Sequence, residues 1–146
     1  MRPPRILFLV AALSCSVAYA EDTHVALIKD VTGTVTVVRN GTSIKAEPGT
    51  QLEKSDEVIS AAASTGGIVF RDGTLLTLGA GSDVQIKDYV FEPKDAKYAF
   101  AVYLSRGSAI YSSGKIGKVS PESVSVQTPK AVIGVRGTRF LVTATD

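Results

Sequence analysis

The chain has 146 residues, 45% hydrophobic and 21% charged, which suits one ordinary globular domain and excludes a low-complexity or disordered chain. Sixteen basic against 14 acidic residues give a formal net charge of only +2, so no strong basic bias points to nucleic acid. A single cysteine excludes an intramolecular disulfide framework, and a single histidine excludes a Cys/His metal cluster.

The first 20 residues, MRPPRILFLVAALSCSVAYA, combine basic Arg2 and Arg5, an apolar run from Ile6 to Leu13, and small Ala18 and Ala20 around Tyr19. That pattern predicts a secretory signal peptide over 1–20 with cleavage after Ala20. Its apolar run is shorter than the about 20 residues a spanning helix needs, and nothing later in the chain exceeds it. The expected mature chain, 21–146, is therefore free of a transmembrane segment and periplasmic or secreted. Cleavage removes two basic residues and no acidic one, leaving a neutral chain without electrostatic support for nucleic acid. Cys15 leaves with the leader. A lipoprotein reading of Cys15 meets Ala12 where a lipobox would place leucine.

From residue 21 on, the pattern is all-β. Thr34-Val35-Thr36-Val37-Val38, Val84-Gln85-Ile86-Lys87 and Val124-Ser125-Val126-Gln127 alternate with period two and are rich in β-branched residues. No helical stripe stands out. Glycine turns are expected at Asn40-Gly41, Pro48-Gly49, Gly66-Gly67, Asp72-Gly73, Gly79-Ala80-Gly81, Gly107, Gly114 and Gly117. Many short strands between such turns predict a single compact domain over 21–146, a sandwich, a jelly-roll-like fold or a β-roll. A loose repeat pairs arginine, glycine and a hydroxyl residue at Arg39-Asn40-Gly41-Thr42, Arg71-Asp72-Gly73-Thr74, Arg106-Gly107-Ser108 and Arg136-Gly137-Thr138. Glycine supplies the positive φ that a hairpin or bulge needs.

Enzyme chemistry finds no footing. His24 falls at the expected frayed start of the mature chain, so no Ser-His or Cys-His pair can be assembled around a fixed base. Asp30, Asp56 and Asp83 read as exposed strand ends and Asp72 as part of its Asp-Gly turn. No cofactor or metal is expected, because neither a His/Cys cluster nor a calcium-loop spacing occurs. Gly79-Ala80-Gly81 lacks the third glycine and following helix of a phosphate loop, with Val84 in the way. Asn40-Gly41-Thr42 spells a glycosylation sequon but reads as a turn. Tyr89, Phe91, Tyr98, Phe100 and Tyr103 gather around the polar stretch 92–98, where a core of cross-strand pairs competes with a sugar-binding platform.

The stretch TPKAVIGVRGTRFLV, residues 128–142, reads as a buried strand through Val132, Ile133 and Val135 yet carries Gly134, Arg136, Gly137 and Arg139 among them. A bulge or corner at Gly137 would reset the alternation, so that Thr138, Phe140 and Val142 share a face. Arg136 then either pins a corner through an acid such as Asp72, or joins Arg139 in facing a partner's acidic groups.

Gly33, Val35, Val37, Gly41, Gly49, Leu52, Asp56 and Val58 in order, GGIVFRDGTLLTL at 66–78, LSRGSAIY at 104–111 and VQTPKAVIGVRGTRFLV at 126–142 together resemble the FecR domain family. The resemblance spans nearly all of the chain after the leader. The most specific motif residues are Asp72, Gly73, Gly134, Arg136, Gly137, Thr138 and Phe140. The resemblance implies an exported, β-rich, non-enzymatic domain; best-known members form the periplasmic part of membrane-spanning sigma-factor regulators. A leader in place of a cytoplasmic segment departs from that plan. The expectation is therefore a binding or scaffold module of the bacterial cell envelope, acting through a protein partner, with a carbohydrate- or peptidoglycan-binding module as the alternative. Arg136, Arg139 and Leu141 are the expected partner-facing residues, and 138–143 is the expected C-terminal edge strand for self-association.

Overall fold

A computed structural model describes residues 2–4, 16–18, 23–135 and 139–145. Ala18 is exposed and outside any strand, while Ala20, Arg136, Gly137 and Thr138, and with them the expected cleavage site and bulge, lie outside the described residues. Of the described residues, strand takes 59% and helix 9%, which makes the protein all-β. In chain order the strands are β1 (His24–Thr32), β2 (Val35–Arg39), β3 (Thr42–Lys45), β4 (Gln51–Glu53), β5 (Glu57–Ser60), β6 (Thr65–Phe70), β7 (Leu75–Leu78), β8 (Asp83–Glu92), β9 (Lys97–Ser112), β10 (Val124–Gln127), β11 (Val132–Gly134) and β12 (Arg139–Ala144), with one short helix, α1 (Lys115–Val119). His24 opens β1 and pairs in register with Glu53, so it belongs to the sheet rather than to a frayed end.

The 12 strands of the described residues join one curled sheet, whose main path runs β3-β2-β5-β8-β9-β7-β6-β1-β4. The 16-residue β9 organises it. Its first half pairs antiparallel with β8 and, on the other side, parallel with β10; its second half lies between β7 and β12. The change of partners occurs at Gly107, whose φ of +84° bends the strand. Here Ser108 N–H donates to Ser82 Oγ and Ser82 Oγ donates to the Ser108 carbonyl, both at 2.9 Å, while Ser82 N–H reaches Ser60 Oγ at 2.9 Å. These buried serines satisfy backbone groups that the bend takes out of the ladder. Gly107 is thus a positive-φ bend inside a strand, in register with Ala144 of β12, where a turn was expected.

Period-two alternation builds the core: Val35 and Val37, Val84 and Ile86, and Phe100, Val102 and Leu104 all point inward and are buried. Each such side chain contributes roughly 1.5–3 kcal/mol by leaving water. The Asn40-Gly41 turn matches its sequence signal. Both residues have positive φ, +50° and +77°, and join Arg39 directly to Thr42 in a two-residue hairpin. Gly66 and Gly67, expected in a turn, lie within β6, where a Cβ would come within 3.2 Å of Val35 and 2.9 Å of the Asp30 carboxylate. Gly117 is inside α1 rather than in a turn. No helix among the described residues is long and apolar enough to cross a membrane.

Candidate functional site

Arg71–Thr74 forms the loop between β6 and β7. Gly73 N–H returns to the Phe70 carbonyl at 3.0 Å and Gly73 takes φ +88°, as an Asp-Gly turn requires. Asp72 does far more than start that turn, because it is only 3% exposed. Its Oδ1 accepts from Tyr89 Oη at 3.0 Å and Thr74 N–H at 3.3 Å; its Oδ2 accepts from Thr74 Oγ1 at 2.7 Å and Ile116 N–H at 3.0 Å. Asp72 N–H donates to Tyr89 Oη at 2.9 Å, and its carbonyl accepts from Lys115 N–H at 3.0 Å. A buried carboxylate with four donors keeps no free lone pair for acid–base work. It caps α1 from 44 residues away and ties that helix to β8. Gly114 makes the approach possible: a Cβ there would sit 2.7 Å from the Asp72 carbonyl oxygen and closer still to Thr74 N. Burial, with the Asp72 charge beside it, pushes the Tyr89 phenol well above its ordinary pKa.

Asp56 corrects the reading of an exposed strand end. It is 1% exposed and forms a bidentate pair with Arg39, Nε to Oδ1 at 3.0 Å and Nη2 to Oδ2 at 2.7 Å. Oδ2 also accepts Glu53 N–H at 2.8 Å, and Arg39 Nη2 donates to the Gln51 carbonyl at 3.1 Å. The hydrogen bond to Asp56 raises the guanidinium pKa further. Neighbouring Glu57 is raised too, chiefly by its hydrogen bond to Asp83 and then by burial. The sequence alone pairs Arg39 with a turn, not with an acid 17 residues on.

The aromatic group divides. Tyr89 and Phe100 are buried, and both pack on Phe70, at 5.4 and 4.8 Å between ring centroids. Phe91 and Tyr98 oppose each other across β8 and β9 and are partly buried against the core. Tyr103 carries the Lys87 ammonium 5.5 Å from its ring centroid. Four of the five rings serve the core rather than an open platform. Among the described residues no group of three or more His, Cys, Asp or Glu could hold a metal ion.

The C-terminal motif has the alternation its sequence suggests, but turned outward. Thr128 N–H and Ala131 carbonyl close a turn at 2.8 Å between β10 and β11. Val132, one of the apolar residues that make the stretch read as a buried strand, is 71% exposed; Gly134 is exposed too, while Ile133 is half-buried and Val135 buried. Gly134 has open space around it and no positive φ, and nothing in the structure explains its being glycine. On β12, Phe140 stacks on Tyr111 at 5.0 Å, and Val142 and Ala144 follow it inward. Arg139, Leu141 and Thr143 face out, with Leu141 65% exposed. Arg136, and with it the expected pairing to an acid such as Asp72, lies outside the described residues. Among the described residues β11 pairs only with β10, and β12 only with β9.

A family model described as FecR protein matches residues 56–146, more than half of the chain. The match opens at Asp56 and leaves out β1 to β4, which carry the earlier part of the resemblance, Gly33 to Leu52. No curated protein and no solved structure matches.

Proposed function

Because the chain belongs to the FecR family, we propose that it is a non-catalytic module of the bacterial cell envelope, exported to the periplasm or beyond, that works by binding another protein in envelope signalling or assembly. The observation that supports this most is the outward placement of apolar side chains in the family's signature segment: Val132 at 71% and Leu141 at 65% exposure, on strands with an unpaired edge among the described residues. Apolar residues set on open edges suit β-addition to a partner. The enclosed polar groups, Asp72 and Asp56, are taken up by structural bonds. The aromatic platform needed for a carbohydrate module is mostly inside the core.

The test is capture from envelope extract on the immobilised chain, comparing wild type with Val132→Lys and Leu141→Lys, both at exposed positions. A defined protein retained by wild type and lost by either variant is the expected result. Retention on peptidoglycan with no protein captured overturns the reading. Export is checked by osmotic shock, with release of a chain beginning at Glu21; an intact Met1 on the released protein refutes the leader.

A further inference from the structure

We infer that the outward edge of β12 pairs with β12 of a second copy, antiparallel about a two-fold axis, with Leu141 opposite Leu141. This rests on reading the C-terminal segment as a contact surface and goes on to name its occupant.

The four edge strands of the described fold are not equivalent. β4 has three residues, and Arg39 occupies its Gln51 carbonyl at 3.1 Å. β3 has four residues and presents the charge of Lys45. β11 has three residues and contains Gly134. Short length, charge and a capped carbonyl are the ordinary ways in which an edge is closed to other strands. β12 has six residues, RFLVTA, with one charge, at its first position. It is the longest and least protected of the four.

The same strand is self-complementary. A two-fold axis normal to the sheet keeps inner face beside inner face, so opposed residues must share a face and the axis must pass midway between the two copies of one residue. Centred on Leu141, the pairing sets Arg139 opposite Thr143 and Phe140 opposite Val142. No like charges meet. The two exposed leucines cover each other on the outer face, and Phe140 and Val142 extend the inner apolar face across the junction. Centring on Phe140 instead would put Leu141 against Arg139, and centring on Val142 would put it against Thr143, losing the leucine contact in both.

The register can be read by cross-linking with Cys15→Ser as background. Directly opposed residues have Cα atoms about 4.5–5.5 Å apart, within disulfide range. Under mild oxidation Leu141→Cys is expected to form a covalent dimer and Thr143→Cys alone is not, while the double variant Arg139→Cys/Thr143→Cys is. Equal cross-linking of Leu141→Cys and Thr143→Cys overturns the register. Charge provides a second arm at an exposed position that leaves the fold intact. Thr143→Glu, placed opposite the partner's arginine, should shift a sedimentation concentration series toward dimer, and Thr143→Lys should shift it toward monomer. Within one strand Arg139 and Thr143 are four residues, roughly 13 Å, apart, so a change of this kind reports the second copy. A wild-type chain that stays monomeric throughout, with no Leu141→Cys dimer, refutes self-pairing. If that monomer still captures an envelope protein through Leu141, the binding-module reading survives alone; a dimer that captures nothing gives the opposite result.

Discussion

Asp72 shows what a single residue can hold. Four donors converge on its carboxylate, from the loop itself, from β8 and from the start of α1. Asp72→Asn keeps the shape but turns one acceptor into a donor facing N–H and O–H groups, so a loss of about 2–4 kcal/mol in urea unfolding is expected. Tyr89→Phe removes two of the bonds at this node, which should lower stability at neutral pH by about 1–3 kcal/mol. The variant should also change the alkaline limb. Burial raises the folded phenol above its unfolded value of about 10, so its stabilisation is complete below that pH and is lost as pH climbs toward the folded value. Urea midpoints on either side of about pH 10 should therefore fall more steeply for wild type than for Tyr89→Phe. Glu57 follows the same sign at the acid end. Its hydrogen bond to Asp83 raises its folded value, so its own contribution to stability is complete below the ordinary carboxylate range of about 4.3 and declines as pH rises through the raised value. In Glu57→Gln this decline should disappear, seen as a melting temperature that gains on wild type between acid and neutral pH.

At the scale of elements, two glycines with the same backbone sign separate conformational strain from crowding. Gly41 and Gly107 both have positive φ, +77° and +84°, but a Cβ at Gly41 would meet open space, whereas at Gly107 it would run into the Cα and side chain of Ser82. Gly41→Ala should cost roughly 1–2 kcal/mol and Gly107→Ala about 1–3 kcal/mol more, because the bend of β9 cannot relax away from Ser82. Urea unfolding of the pair measures the difference. The same contrast explains what the sequence revealed. The Asn40-Gly41 hairpin and the alternation of β8, β10 and β12 were legible because their causes lie within a few neighbouring residues. Helix α1 was not, since it is five residues long and its capping acid is 44 positions earlier. Gly66 and Gly67 looked like a turn because the neighbours a Cβ there would meet, Val35 and Asp30, are remote in sequence. Asp56 passed for an exposed strand end for want of its distant arginine. The candidate contact surface was half legible: Leu141 and Arg139 were marked for the outside, but Val132 looked like core.

For the whole molecule, the sheet's order matters more than its size. The strands outside the matched region, β1 to β4, occupy both ends of the main path: β3 and β2 cover β5, and β4 and β1 cover β6. Residues 56–146 alone would lose buried Ile28, Val35, Val37 and Leu52 and open the edges of β5 and β6. That fragment should show no cooperative thermal transition by circular dichroism, while 21–146 melts in one step; a cooperative melt of the fragment would make β1 to β4 an accessory. The position of β9 also sets an order in time. Synthesis delivers β1 to β8 first, yet the ladders of the two arms of the sheet, β3-β2-β5-β8 and β7-β6-β1-β4, are joined only through β9. Until β9 is available the arms can meet only through side chains, such as Phe70 against Tyr89 and Arg39 on the Gln51 carbonyl, and the interior lacks buried Phe100, Val102, Leu104 and Tyr111. Folding should then proceed as a late, single event gated by the appearance of β9, with loop closure over most of the chain length slowing it. A nascent chain arrested before Lys97 should be digested readily by protease, and one extended past Ser112 should become resistant once α1 and β12 have followed.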